Sequence, residues 1–94
     1  MRALKTTHKF KRDLKKISQS VYGDFIRSDE FKFIINQLLN DKPLEKKYED
    51  HPLSGRLAKY RDCHLKPDLV LLYQKTKDNQ LILVRIGSHS ELSL

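Results

Sequence analysis

The apolar residues follow two different patterns in the two halves of the chain, and this change constrains the fold most strongly. In the first 40 residues they recur every three or four positions, which is typical of amphipathic helices. In the second half they form short uninterrupted runs separated by turn residues, which indicates buried strands in an antiparallel meander. Helices that precede strands predict an α+β fold, with the helices packed on one face of a small antiparallel sheet.

Two helices are predicted in the first half. The first spans about residues 8–20, begins after the N-cap candidate Thr7 and carries a basic polar face. The second begins after Ser28, has two carboxylates in its first turn and ends before Pro43. A short strand over residues 2–6 is expected to precede them, and Gly23 ends the first helix or begins the turn after it.

The second half predicts a loop followed by three strands. The loop covers residues 41–54, and the strands cover residues 56–64, 69–73 and 81–86. Turn residues separate the strands at 66–68 and 77–79.

Size and composition limit the class of protein. Ninety-four residues make one domain, so residues 1–94 are expected to share one core. No apolar run approaches the ~20 residues of a membrane helix, and the N-terminus shows no signal peptide. The single cysteine, Cys63, excludes an internal disulfide framework and a four-cysteine zinc site. We therefore expect a cytoplasmic protein.

The positive charge is concentrated at the N-terminal end. The formal net charge is +7, and residues 1–27 hold eight basic and two acidic residues, a local excess of +6. A basic end on a small domain indicates a polyanion such as RNA or DNA, or an acidic protein, as its partner. A solvated helix face explains the charge alone equally well.

Residues suited to acid–base chemistry lie where elements end. Three of the four histidines follow the helices, each at an element boundary: His51, His64 and His89. Asp68 follows His64 by four residues, and Arg85 precedes His89 by four. We expect the chain to stay extended from Arg85 to His89, so that residues 85, 87 and 89 point the same way and both side chains can face one phosphate. Singly, each of these residues is more typical of a surface, capping or turn group, but together they indicate a shared cleft at the edge of the sheet.

Three chemistries compete for these residues. The first is a metal site of His51, His64 and His89, with Asp68 or Cys63 as a further ligand, although no pair has the short spacing of a known motif. The second is a Cys63 nucleophile with a histidine base, although nothing around Cys63 marks it as activated.

The third is acid–base cleavage of RNA, whose 2′-hydroxyl is a built-in nucleophile. Histidine suits either proton transfer near neutral pH. Arginine offers a planar fork for phosphate oxygens. This inventory needs no metal and no cofactor.

Four blocks of the sequence resemble the YafQ-like branch of the RelE/ParE toxin superfamily. They are DHPLSG at 50–55, YRDCHLKPD at 60–68, LLY at 71–73 and RIGSHSEL at 85–92. The branch pattern is roughly D-H-x-L-x-G, Y-R-[DE]-x-H-x-x-P-D, L-x-Y and R-x-G-[ST]-H. All four blocks occur in order and at matching spacing, and with the helices the resemblance covers essentially the whole chain.

The resemblance implies a RelE-like fold, with a short first strand and two helices on a small antiparallel sheet. It also implies an endoribonuclease that cleaves mRNA, usually on a translating ribosome, and that a cognate antitoxin inhibits. The positions matching the family's catalytic residues are His51, His64, Asp68, Arg85 and His89. Arg61 matches a family position that could equally be structural. Leu69 and the tail at 92–94 depart from the pattern, because relatives often carry aromatic residues there.

The sequence therefore predicts a metal-independent, cofactor-free mRNA interferase with a cognate acidic antitoxin. The residues expected to bind RNA phosphates are Lys5, Lys9, Lys11, Arg12, Lys15, Lys16 and Arg61. The alternative is a non-enzymatic module on the same fold, either a ParE-like inhibitor of a protein target or a plain RNA-binding domain. Such a binder has no need of three histidines and an aspartate at these boundaries.

Overall fold

The computed structural model describes residues 1–94 and contains five strands and four α-helices. The strands are β1 (Ala3–Thr6), β2 (His51–Pro52), β3 (Arg61–Lys66), β4 (Leu69–Lys75) and β5 (Gln80–Gly87). The helices are α1 (His8–Ser18), α2 (Gly23–Ile26), α3 (Asp29–Leu39) and α4 (His89–Leu92). No helix is both long and apolar enough to cross a membrane.

The strands form one sheet in the order β1-β5-β4-β3-β2, and the predicted α+β class is confirmed. Neighbouring strands are antiparallel except β1 and β5, which run parallel, so the sheet is mixed. Helices α1, α2 and α3 follow β1 in the chain, and the other four strands come after them. The last of these strands, β5, lies beside β1 and runs in the same direction.

One hydrophobic core lies between the sheet and the helices. It is built from α1, α3 and the inward faces of β4 and β5, chiefly Phe10, Ile17, Ile34, Leu38, Leu71, Tyr73 and Leu81. The first five residues of β4 are buried on both faces of the sheet, which explains why they form a continuous apolar run.

The predicted helix starts are confirmed by their caps. The Thr7 hydroxyl accepts a hydrogen bond from the Phe10 amide at 2.9 Å, and the Ser28 hydroxyl accepts one from the Phe31 amide at 3.2 Å. Helix α1 ends at Ser18, two residues before its predicted end, and Gly23 begins the short helix α2. A side chain at Gly23 would collide with the Ser18 carbonyl, so the chain needs glycine there.

The predictions for the loop and the first strand of the meander are partly wrong. The strand predicted over 56–64 begins at Arg61, because a loop with a left-handed Gly55 (φ 64°) precedes it. That loop is closed by the Leu53 amide, which donates to the Tyr60 carbonyl at 3.1 Å. The end of the predicted loop instead forms β2, which places His51 directly opposite Asp62.

Candidate active site

Two rows of side chains cross the sheet and place most of the predicted residues on one face. The register of the antiparallel strands defines the first row as His51, Asp62, Leu72 and Arg85. The second row is His64, Val70 and Gly87. Because residues opposite each other in a sheet share a face, the histidines of β2 and β3 lie on the same side as Arg85.

His89 joins this face through α4 and not through an extended strand. We expected residues 85, 87 and 89 to continue one strand, and this expectation is wrong. The Ser88 hydroxyl accepts a hydrogen bond from the Glu91 amide, and the Glu91 carboxylate accepts one from the Ser88 amide. This capping box begins a helix immediately after β5. Gly87 permits the turn, because a Cβ there would lie 3.2 Å from Glu91 Oε1.

Three histidine rings meet in one cluster. The centroids of the His64 and His89 rings are 4.9 Å apart, and those of His51 and His64 are 6.0 Å apart. His64 lies between the other two, partly shielded from solvent. The fourth histidine, His8, is exposed in the first turn of α1.

A buried carboxylate that the sequence reasoning missed lies beneath two of these histidines. Asp62 is 3% exposed, and its Oδ1 lies 3.1 Å from His51 Nε2 and 3.9 Å from His64 Nε2. No group donates to Oδ1 with good hydrogen-bond geometry. Burial raises the pKa of Asp62, and the nearby histidines oppose that rise. The available signal was strand alternation, which puts Asp62 on the same face as His64.

His51 is held between two acceptor groups. Its Nδ1 lies 2.6 Å from the Glu49 carbonyl oxygen, so Nδ1 carries a hydrogen and donates it. Its Nε2 faces the Asp62 carboxyl group. With the hydrogen on Nδ1, Nε2 of a neutral His51 carries a lone pair, and no hydrogen bond joins it to Asp62 Oδ1.

Asp68 orients His89. Asp68 Oδ1 lies 3.3 Å from both the backbone amide and Nδ1 of His89. A carboxylate on Nδ1 fixes the ring and leaves Nε2 free to exchange a proton with a substrate. The predicted members Asp68 and His89 are therefore in contact.

Arg85 is fixed by a second residue that the sequence reasoning missed, Asp13 of α1. Arg85 Nε donates to Asp13 Oδ2 at 2.6 Å, and Nη2 donates to Oδ1 at 3.1 Å. Asp13 also accepts a hydrogen bond from the Ile86 amide at 3.3 Å. This contact raises the pKa of Arg85. Two of the five guanidinium N–H groups are used, and three remain for a phosphate.

The side chains of His51, Asp62 and His64 could together hold a transition metal. Their candidate ligand atoms lie within 4.8 Å of one another. Two imidazole nitrogens and one carboxylate oxygen are a donor set that suits zinc or copper. The ligand set suggested from the sequence differs, because Asp62 completes this group and neither His89 nor Asp68 belongs to it. Cys63 points to the opposite side of β3, is fully buried and has a raised pKa. Burial of the thiol also argues against a cysteine nucleophile.

The basic residues of the N-terminal end are exposed. This group comprises Lys5, Lys9, Lys11, Arg12, Lys15 and Lys16. Lys16 donates to Glu91 of α4 at 2.8 Å, which links the basic helix to the segment that carries His89. Arg61 is placed differently: its Nε lies 3.4 Å from Asp50 and 3.2 Å from the Tyr73 hydroxyl, in a network that joins β3 to β4.

Fold and site together define a small α+β protein with a cluster of three histidine rings. The model of the family described as "Bacterial toxin of type II toxin-antitoxin system, YafQ" matches residues 2–94. The mRNA interferase toxin YafQ of Escherichia coli K12 is 37% identical over 78 residues, which cover 82% of this chain and 80% of that protein.

Solved structures agree with this match. A copper-bound mutant toxin from Helicobacter pylori is 35% identical with a TM-score of 0.83, over 98% of this chain and 99% of that one. YafQ in the Escherichia coli DinJ–YafQ complex is 29% identical with a TM-score of 0.78, over 98% of both chains. The chain belongs to the YafQ family of bacterial type II toxins. The family predicted from the four sequence blocks is confirmed, as is its enzyme class, the endoribonucleases named mRNA interferases.

Proposed function

We propose that this toxin cleaves mRNA by acid–base catalysis without a metal, using the 2′-hydroxyl of the RNA as the nucleophile. The observation that carries the proposal is the meeting of three histidine rings, together with Arg85 in the same row of the sheet as His51. Cleavage of this kind needs a base, an acid and a cation near the phosphate, and the site offers all three.

In this mechanism His64 accepts the proton of the 2′-hydroxyl while the 2′-oxygen bonds to phosphorus. His89, oriented by Asp68, donates a proton to the 5′-oxygen as the bond between that oxygen and phosphorus breaks. Arg85 stabilises the negative charge on the phosphate oxygens. His51, on the other side of His64, is a second acid–base or phosphate-contacting group. The products are a 2′,3′-cyclic phosphate and a 5′-hydroxyl.

Substitution of His89 tests the proposal. Loss of a general acid typically lowers the rate by about 10²–10⁴-fold, so His89→Ala should abolish toxicity in cells and cleavage in a translating extract. His8→Ala is the matched control, because His8 is exposed on α1 and is not one of the three paired rings. RNA 5′-end mapping gives the rates, and circular dichroism checks the fold. A folded His89→Ala protein that cuts mRNA within a few-fold of the wild-type rate would refute the assignment.

The metal independence of this reaction is tested by chelation. A metal at this site would have His51, Asp62 and His64 as its ligands and would supply Lewis-acid chemistry. The proposed reaction uses the free imidazoles instead, so cleavage should continue in EDTA. Loss of activity in EDTA that zinc or copper restores would contradict it.

The proposal includes two partners and a location. The exposed lysines and Arg12 of α1 bind phosphates of mRNA on the ribosome, so binding should weaken steeply with salt. An acidic antitoxin binds the toxin and blocks the histidine cluster, and the Escherichia coli DinJ–YafQ complex supports a heteromeric assembly. Since mRNA is the substrate, the toxin acts in the cytoplasm. Co-expression with the neighbouring reading frame and co-purification test the antitoxin.

A further inference from the structure

A cleft beside the histidine cluster has no role in the chemistry above. Its volume is about 480 Å³, and His64 forms part of its wall. Leu65 and Pro67 are its apolar wall residues, and the rest of the wall combines carboxylates, lysines and one tyrosine: Glu30, Lys47, Tyr48, Glu49 and Lys66. A single wall residue therefore belongs both to the cleft and to the reaction centre.

We propose that this cleft is a nucleotide subsite, in which the nucleotide next to the scissile phosphate binds and Glu49 selects a base that carries an exocyclic amino group. The inference rests on the proposed RNA cleavage. Single-stranded RNA is recognised mainly through unstacked bases whose edges form hydrogen bonds with the protein. The cleft is large enough for one such base, and it shares His64 with the proposed reaction centre.

The two lysines give the cleft the charge that a nucleotide requires. Lys66 Nζ lies 4.7 Å from the centroid of the Phe25 ring, and Lys47 Nζ lies 5.1 Å from that of the Tyr48 ring. These cation–π contacts hold both ammonium groups at the cleft wall. They can bind the phosphate of the nucleotide and offset the repulsion between that phosphate and the carboxylates.

Glu49 is the group placed to read the base. Its backbone is fixed in the left-handed region (φ 47°), and its carbonyl oxygen contacts His51. Its carboxylate is 68% exposed and lies 3.3 Å from His64 Nδ1 through Oε2, so lone pairs remain free to accept hydrogen bonds. Glu30 is less available, because it accepts a hydrogen bond from the Tyr48 hydroxyl at 2.7 Å.

The chemistry of a carboxylate determines which bases fit. An ionised carboxylate only accepts hydrogen bonds, and the amino groups of adenine, cytosine and guanine donate them. Uracil presents a carbonyl oxygen where cytosine carries its amino group, and this oxygen would repel the carboxylate. We therefore expect cleavage to discriminate against uracil at one position next to the cut.

The experiment compares base preference in Glu49→Gln and wild-type protein. Both are added to a translating extract with mRNAs in which each position flanking the strongest cut holds each of the four bases in turn. The wild type should prefer amino-bearing bases over uracil by about tenfold at one flanking position, the effect of one hydrogen bond to a charged group. Glu49→Gln should lose most of this preference, because a side-chain amide can turn to donate or accept.

Glu45→Gln is the matched control, since Glu45 pairs only with Lys47, at 3.9 Å, and does not line the cleft. It should keep the wild-type preference. The ratio between substrates is independent of any general loss of rate that Glu49→Gln causes through His64. An unchanged ratio in Glu49→Gln, or a wild type indifferent to the flanking bases, would overturn the subsite. A wild type that cuts none of the RNAs would instead overturn the proposed function.

Discussion

Removal of the Asp13 carboxylate should destabilise the protein far more than removal of an exposed carboxylate. Asp13 accepts two hydrogen bonds from Arg85 and one from the Ile86 amide. The side chains are 12% exposed for Asp13 and 25% exposed for Arg85, so solvent screens this pair only partly. Asp13→Ala would leave a guanidinium and a backbone N–H without their acceptor.

The size of the effect follows from that burial. Removing one partner of a fully buried pair costs about 3–5 kcal/mol, whereas exposed pairs contribute about 0–1 kcal/mol. Because the exposure of this pair is intermediate, we expect Asp13→Ala to lower the free energy of unfolding by about 2–3 kcal/mol. For a domain of this size that corresponds to a fall in Tm of about 10 °C or more. Asp13→Asn keeps an acceptor for the Ile86 amide, so we expect a smaller loss.

Thermal unfolding followed by circular dichroism measures this difference. Asp24→Ala is the control, because Asp24 is fully exposed and meets Arg27 at 3.4 Å on the surface. Its removal should cost less than about 0.5 kcal/mol. If Asp13→Ala melts within about 2 °C of Asp24→Ala, the Asp13–Arg85 pair does not hold α1 against β5 and the reasoning is refuted.

Three further predictions concern the Cys63 thiol, the stability of the protein at acidic pH and the turn before His89. Cys63 should resist thiol reagents in the native protein and react in denaturant, because burial raises its pKa; rapid labelling of native protein would contradict this. Lys16 and the Ser88 cap lower the pKa of Glu91 to about 2 from 4.5. The stabilisation from this low pKa is present above about pH 4.5 and is lost as the pH falls toward 2. Between pH 6 and pH 3, the free energy of unfolding of Glu91→Gln should therefore fall less than that of the wild type. Urea titrations at both pH values measure this, and equal losses would contradict the prediction. Gly87→Ala should lower the cleavage rate more than it lowers Tm, because its Cβ would meet the Glu91 carboxylate that holds α4; an unchanged rate would show that this contact relaxes freely.

The parts of the fold that the sequence predicted depend on local signals. Thr7 and Ser28 mark their helices because a side-chain cap acts within one turn. The central strand is recognisable because burial on both faces demands an uninterrupted apolar run. The strand before it was misplaced at its start, because loop closure by Leu53 and Tyr60 depends on tertiary hydrogen bonding that the spacing of apolar residues does not encode.

The candidate site shows the same division between local and long-range information. The boundary positions of the histidines were visible, but the way they meet depends on the register of four strands, β2 to β5, and on the capping box after β5. The extended geometry expected for His89 ignored Ser88 and Glu91, which favour a helix start. That local signal was present in the sequence and was overlooked.

The residues missed by sequence reasoning are all acidic, and a physical reason connects them. Asp13 is the only acid in the strongly basic α1, and it fixes Arg85, 72 residues away. Asp62 and Glu49 lie near histidines in the sequence, and each contacts two of them in the fold. A site that binds a polyanion must hold its cationic groups in place while they are free of substrate, and nearby carboxylates provide that restraint. In such a sequence, an acidic residue isolated among basic ones therefore indicates a carboxylate that holds a cationic group of the site in place. A carboxylate that only repelled the substrate would weaken binding.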